Sequence, residues 1–254
     1  MDNEINQSKD KFKIVVKHMF NKTNKKGFFC ASDTVFFNEW TKIFIMSVKR
    51  HAPWANIRIH IYDGVDQDVE WCKKNGVECS TEPTLSEYTK NLDSKKGFWV
   101  CDRFRQVVSL FEDQVPVWCV DSDSVLRRDL SEDEYDQITS QSWVNVWGEP
   151  NTRAYKTIGY SVVFSSNDRA RHEIAVRLSN QKKFTWYLDQ EVMDSMLREN
   201  YFAPVERTYS NHVYNKDAYI WSGKGKRKYM SSNDLLSFPG LARHYKKILD
   251  NKAT

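Results

Sequence analysis

Residues Arg103 to Ser124 read RFRQVVSLFEDQVPVWCVDSDS, and their pattern decides the fold. The first part lies in a predicted helix, Phe98 to Gln114, whose apolar residues Val100, Phe104, Val107, Val108 and Phe111 share one face. The second part, Val115 to Val120, is apolar throughout, which on a strand means burial of both faces and a central place in a parallel sheet. Asp121-Ser122-Asp123-Ser124 closes that strand. Two carboxylates two residues apart on extended backbone point the same way, and hard cations such as Mg2+ or Mn2+ take carboxylate oxygens while bridging to phosphates. Ligands of open parallel sheets sit at such strand ends. The plain alternative is a turn that ends a strand and caps the next segment.

Length places a second group beside this pair. A helix from Trp99 to Glu112 is roughly 20 Å long, a strand from Val115 to Asp121 is similar, and the two run antiparallel. The start of the helix, with Asp102, Arg103 and Arg105, therefore comes level with Asp121. Arginines at a helix N-terminus oppose its dipole, so they indicate either an anionic ligand or a solvated surface.

Working towards the N-terminus, Lys11 to Met19 reads as a first strand and Phe36 to His51 as a helix ended by Pro53. Ile57 to Tyr62 is a strand running into Asp63-Gly64, followed by a helix over Asp66 to Lys74 and a strand at Val77 to Cys79. Such alternation implies an α/β fold with a mostly parallel sheet. The C-terminal half is mixed. Strands are expected at Ser142 to Trp147, Tyr160 to Ser165 and Ala218 to Trp221, and helices at Asn167 to Ser179 and Leu188 to Asn200. After Asn233 the pattern predicts a helix interrupted at Pro239-Gly240. No repeat or low-complexity linker divides the 254 residues, so one domain is expected, with two halves, 1–124 and 125–254, the second ending in a C-terminal helix.

Composition sets outer limits. With 40% hydrophobic and 28% charged residues the chain falls in the globular class. A net charge of +4 is too weak to signal a nucleic-acid partner. No run approaches the ~20 apolar residues of a membrane span, and MDNEINQSKDKFK lacks the apolar core of a signal peptide, so a cytoplasmic protein is expected. The five cysteines are odd in number and form no C-x-x-C pair, which reads as reduced, mostly buried thiols.

Two further segments carry candidate chemistry. Ser222 to Lys228, SGKGKRK, offers four cations with Gly223 and Gly225 for a tight backbone; it suits a diphosphate clamp or a solvated basic hairpin. It is not a P-loop, since G-x-x-x-x-G-K-[ST] does not occur in the chain. Trp186-Tyr187-Leu188-Asp189-Gln190 leads into a helix, where Asp189 is either a sugar-hydroxyl ligand or an N-cap.

Taken in order, these pieces resemble a GT-A-type glycosyltransferase, closest in layout to the glycogenin-like and bacterial galactosyltransferase-like retaining enzymes. The resemblance covers most of the chain and is most specific over Arg103 to Leu130, where an Arg-bearing helix, a buried strand, D-x-D and a later Asp-Leu occur in succession. It implies a single domain with a Rossmann-like, mostly parallel sheet and a smaller mixed acceptor-side sheet. It also implies transfer of a sugar from a nucleotide-diphosphate sugar, with UDP expected, to a glycan or other hydroxyl acceptor. Asp121 and Asp123 would bind Mn2+ or Mg2+. Arg103, Ser122, Lys224, Lys226 and Lys228 would face the donor, with Asp63 the residue that reads the base. Thr157 to Phe164 would line the sugar side, and Asp189 and Gln190 would do the catalytic work near the acceptor.

The chain departs from the family in one place. The usual His-x-x-Gly-x-x-Lys-Pro ending, whose His completes the metal site, puts Ile220 or Ser222 where the His belongs, and Lys226 or Lys228 at the Lys. His212 is the substitute at hand. If the reaction inverts, Glu149 is the candidate base. VWCVDSDSV also fits the start of haloacid-dehalogenase-like phosphatases, with Asp121 as nucleophile and Asp123 as acid. A non-catalytic nucleotide-sugar-binding relative is the third reading.

Overall fold

The computed structural model describes residues 22–84, 92–147, 156–181, 183–206, 208–211, 215–223, 225–231 and 233–252. The expected strand at Lys11 to Met19 lies outside them, as do Glu149, His212 and Lys224. Ten strands are described: β1 (Gly27–Asp33), β2 (Asn56–Tyr62), β3 (Glu78–Glu82), β4 (Val117–Val120), β5 (Ser124–Leu126), β6 (Trp143–Trp147), β7 (Lys156–Phe164), β8 (Ala203–Glu206), β9 (Ser210–Asn211) and β10 (Ile220–Ser222). The helices are α1 (Lys42–His51), α2 (Asp66–Lys74), α3 (Leu92–Leu110), α4 (Glu132–Ile138), α5 (Arg169–Ser179), α6 (Leu188–Arg198) and α7 (Phe238–Lys252).

Seven strands form one sheet in the order β3-β2-β1-β4-β7-β6-β8. The first four of these are mutually parallel, and β7 runs antiparallel to both β4 and β6. A three-stranded sheet, β5-β10-β9, stands beside it. The expected mixed α/β architecture with a smaller second sheet is therefore present.

Alternation of side chains along each strand divides the interior into two layers. Phe28, Cys30, Ile59, Trp118 and Val163 pack with Phe44, Ile45 and Val48 of α1 on one face. Phe29, Val117, Cys119, Val162 and Phe164 pack with α3, α5 and α6 on the other. A third cluster, including Trp40, Trp221, Phe238, Leu241 and Tyr245, fastens α7 over α1 and the small sheet. All five cysteines carry free thiols, four of them buried, as expected; burial pushes the Cys119 thiol up to about 12. Among the described residues no helix is long and apolar enough to cross a membrane.

One strand was not anticipated, and two expectations need correction. The strand at the centre of the parallel half is Gly27–Asp33, a segment without period-2 alternation because both of its faces are buried. Helix α3 starts at Leu92, not Phe98, so Arg103 and Arg105 lie in mid-helix. The dipole argument for an anion at their level therefore lapses, although their placement beside Asp121 holds. Pro239-Gly240 opens α7 instead of breaking it, since a first turn has no i−4 partner for proline to lose. Gly240 is needed there because a Cβ would come within 2.0 Å of the Asp234 carbonyl oxygen.

Candidate active-site cleft

The carboxyl ends of β1 and β4 open into a cleft of about 430 Å³. A wider hollow of about 580 Å³ around Lys26, Trp54 and Pro116 lies at the opposite ends of the strands. The cleft is the functional candidate, because open α/β sheets bind ligands at strand carboxyl ends and because it gathers charged groups from five separate segments.

The floor is an ion-pair network. Arg103, reaching out of α3, donates from Nη1 to Asp121 Oδ1 at 2.6 Å and from Nη2 to Asp189 Oδ2 at 2.9 Å and to the Gly159 carbonyl at 2.5 Å. Only 5% of Arg103 and 2% of Asp189 is exposed. A Cβ on Gly159 would stand 2.7 Å from Asp189 Oδ2 and 3.2 Å from Arg103 Nη2, so glycine leaves the room this pair occupies. Burial pushes the Asp189 carboxyl up to about 6, with Arg103 opposing the shift and Asp121 adding to it. Asp189 is not the N-cap of α6: Tyr187 holds that place, and Asp189 Oδ1 accepts from the Gln190 backbone N–H at 2.9 Å. Gln190 lines the cleft, and its carbonyl accepts from Thr157 Oγ1 at 2.9 Å.

The opposite wall carries Lys228, on a single 3-10 turn, Gly225–Tyr229. Its Nζ donates to Asp123 Oδ2 at 2.8 Å and lies 4.6 Å from the ring centroid of Phe36, 5.4 Å from Trp40 and 5.4 Å from Tyr229. Strand pairing fixes the approach of this segment. Ser222 stands opposite Ser124 in the β10–β5 ladder, their hydroxyls are 2.8 Å apart, and the Gly223 N–H donates to the Asp123 carbonyl at 2.7 Å. Ser222, not Ile220, is thus the neighbour of Asp123, with Gly225 and Lys228 three and six residues on.

Of the donor-side residues expected from sequence, Arg103, Ser122 and Lys228 line the cleft, together with Asp121 and Asp123. Lys226 is exposed and outside the lining. Asp63 is also outside it: its carboxylate accepts from the Thr84 N–H at 2.7 Å and Thr84 Oγ1 at 2.9 Å and pairs with Lys95 at 2.8 Å. The carboxylate at the corresponding strand end within the lining is Asp33, beside Ala31, Ser32 and Phe36. Sequence reasoning missed it together with β1. The signal was available, since FFCASD repeats the apolar-run-then-Asp pattern of VWCVDSD. Trp99, Trp186 and Tyr229 supply aromatic walls.

The described residues hold one cluster with three metal-capable ligand atoms in mutual reach, His60, Glu82 and Asp102. Arg105 and Gln106 already bridge its two carboxylates at 2.5 to 3.1 Å. Burial holds His60 down at about 3, hence neutral. This network clamps α3 to the sheet.

No protein-family model matches the chain, and no curated protein matches it by sequence. Solved structures do match in shape. The chain superposes on a galactosyltransferase, LgtC, in complex with donor and acceptor sugar analogues, with a TM-score of 0.59 at 12% identity, covering 89% of this chain and 95% of that one. An active-site mutant of LgtC gives 0.57 at 11% identity, with the same coverage. The bifunctional glycosyltransferase WbbM gives 0.52 at 14% identity, over 89% of this chain and 46% of its own. The fold is that of the GT-A glycosyltransferases.

Proposed function

We propose that the chain is a glycosyltransferase that moves a sugar from a nucleotide-diphosphate sugar, with UDP the expected nucleotide, to an acceptor hydroxyl. The observation that carries this reading is the convergence of Asp121, Asp123, Arg103 and Lys228 at the carboxyl end of β4, within a cleft walled by aromatic side chains.

A divalent cation fits this place by the chemistry of its donors. Asp121 and Asp123 offer hard oxygens, and the ammonium already seated on Asp123 is a stand-in for a cation. Mn2+ or Mg2+ on the two aspartates would offset the charge growing on the departing diphosphate. The chain's own residues do the rest. Lys228 supplies a mobile positive charge to the same diphosphate. Asp33 and Phe36 form the wall for the base. Arg103, fixed by Asp189 and Gly159, holds Asp121 in position, so Asp189 acts through Arg103, while Gln190 faces the sugar.

We infer retention as the stereochemical course from the carboxylates described in the cleft; Glu149, the candidate base for inversion, lies outside the described residues. The carboxylates lining the described cleft are each engaged: Asp121 and Asp189 by Arg103, Asp123 by Lys228, and Asp33 by the Phe36 N–H at 2.8 Å. Arg103 at 2.6 Å from Asp121 Oδ1 likewise speaks against Asp121 as a phosphatase nucleophile.

Thermal unfolding with UDP, GDP and CDP, each with Mn2+, Mg2+ or chelator, tests the reading, because a ligand of the native state raises its melting point. A shift with one nucleotide, lost in Asp123→Ala, is expected. Absence of any shift with all three nucleotides, with and without cation, overturns it.

A further inference from the structure

We propose that Lys228 makes cation binding and nucleotide binding mutually dependent, by holding Asp123 in the donor-free protein and passing to the diphosphate when the donor arrives. This rests on the reading of the cleft as a nucleotide-sugar site.

The ammonium of Lys228 occupies a built cation site. It has a carboxylate oxygen at 2.8 Å and three aromatic rings within 5.4 Å, and the side chains of Lys228 and Asp123 are only 9% and 12% exposed. Ring faces and a carboxylate together offset the desolvation of a buried ammonium. A divalent cation arriving alone therefore meets two carboxylates that already have positive partners. Arg103 cannot leave Asp121 without abandoning Asp189 and Gly159. Lys228 can leave Asp123, since it rides on one 3-10 turn opened by Gly225 at φ 52, but its charge then needs another anion.

A diphosphate is that anion. Once it accepts the ammonium, the Asp123 Oδ2 that Lys228 held turns to the cation, and cation and diphosphate attract each other directly. Ser222, whose hydroxyl pairs with Ser124 at 2.8 Å, adds no strong ligand that would let the cation bind first. Without nucleotide, cation affinity is reduced by the fraction of molecules in which Lys228 has left Asp123. The coupling is reciprocal: nucleotide tightens Mn2+ by the factor by which Mn2+ tightens nucleotide.

The test is titration of Mn2+, with free Mn2+ followed by electron paramagnetic resonance, in the presence and absence of saturating UDP. The wild-type protein is expected to bind Mn2+ at least about tenfold more tightly with UDP. Lys228→Met is expected to tighten Mn2+ binding without UDP by about tenfold and to cut the coupling to below about threefold, while Lys228→Arg retains much of it. Lys226→Met controls for net charge, since Lys226 is exposed and outside the cleft lining, and should behave as wild type. Circular dichroism confirms that each variant is folded. If Lys228→Met leaves both Mn2+ affinity and coupling unchanged, or if Lys226→Met reproduces its effect, the inference is wrong and the nucleotide-sugar reading stands. If UDP, GDP and CDP bind neither with nor without Mn2+, that reading fails and the inference with it.

Discussion

Arg103 and Lys228 each hold one carboxylate of the Asp121-Ser122-Asp123 turn, yet they stand on supports of different stiffness. Arg103 projects from a nineteen-residue helix packed against the sheet and spends its fork on three acceptors from three segments, Asp121, Gly159 and Asp189. Lys228 stands on a five-residue 3-10 turn and gives its one charge to Asp123. The rings around it attract a cation without fixing its direction. A guanidinium in bidentate contact is preorganised, whereas an ammonium is a point charge on a flexible stem. On the coupling proposed above, one wall of the cleft is a fixed template and the other a movable counter-charge.

The largest expected effect breaks the fixed side. Arg103→Met leaves Asp121 and the 2%-exposed Asp189 without their shared cation, and removing one partner of a buried ion pair costs roughly 3–5 kcal/mol. Lys228→Met should cost only about 1–2 kcal/mol, because Asp123 can gain water once the turn relaxes. Urea unfolding of the two variants measures the difference. Equal losses would show that the two walls are equally rigid.

The next effect, on the order of 2 kcal/mol, is in the pH dependence. Burial pushes the folded-state pKa of Asp189 up to about 6, against ~3.9 unfolded, so the folded chain holds this proton more tightly. The stability contributed by the group is fully present below about pH 4 and is lost as pH rises through about 6. Asp189→Asn cannot titrate. The melting point of wild type relative to Asp189→Asn should therefore fall between pH 4.5 and 7.5, a range that spans most of that loss. A difference that is flat or that rises with pH would show that Arg103 outweighs burial and holds the carboxyl ionised throughout.

The contrast between the walls also explains what could be read from sequence. Asp121, Asp123 and Arg103 were legible because strand and helix lengths alone bring them level, and α3 and β4 carry strong apolar patterns. Asp33 was not, because β1 is buried on both faces and its apolar run lacks the alternation that marks a half-buried strand. Asp63 looked like the base-side carboxylate because it ends a visible strand, but Thr84 and Lys95 take it up, and Thr84 lies 21 residues away in sequence. The choice between Lys226 and Lys228 was undecided by spacing. Pairing of Ser222 with Ser124 across 98 residues brings Lys228, not Lys226, to Asp123, and no local pattern encodes that register. What was legible depends on local periodicity, and what was not depends on tertiary pairing.

A single methyl group placed on each wall gives the finest comparison. Gly159→Ala would put a Cβ 2.7 Å from Asp189 Oδ2 and 3.2 Å from Arg103 Nη2. Those atoms are held by other partners and cannot retreat freely, so overpacking should cost about 1–3 kcal/mol in unfolding. Gly223→Ala would put a Cβ 3.0 Å from the Phe238 ring and 3.1 Å from Lys228 Cβ. The ring belongs to the core beneath α7, but the lysine sits on a turn that can shift, so the loss of stability should be under about 1 kcal/mol. The displaced ammonium should instead register in ligand binding, as weaker UDP affinity measured by calorimetry in the presence of Mn2+. Stability lost at Gly159 and affinity lost at Gly223 would mark a fixed and a movable wall. A reversal, with Gly223→Ala the more destabilising of the two, would mean that the basic turn is part of the rigid frame and that Lys228 does not move.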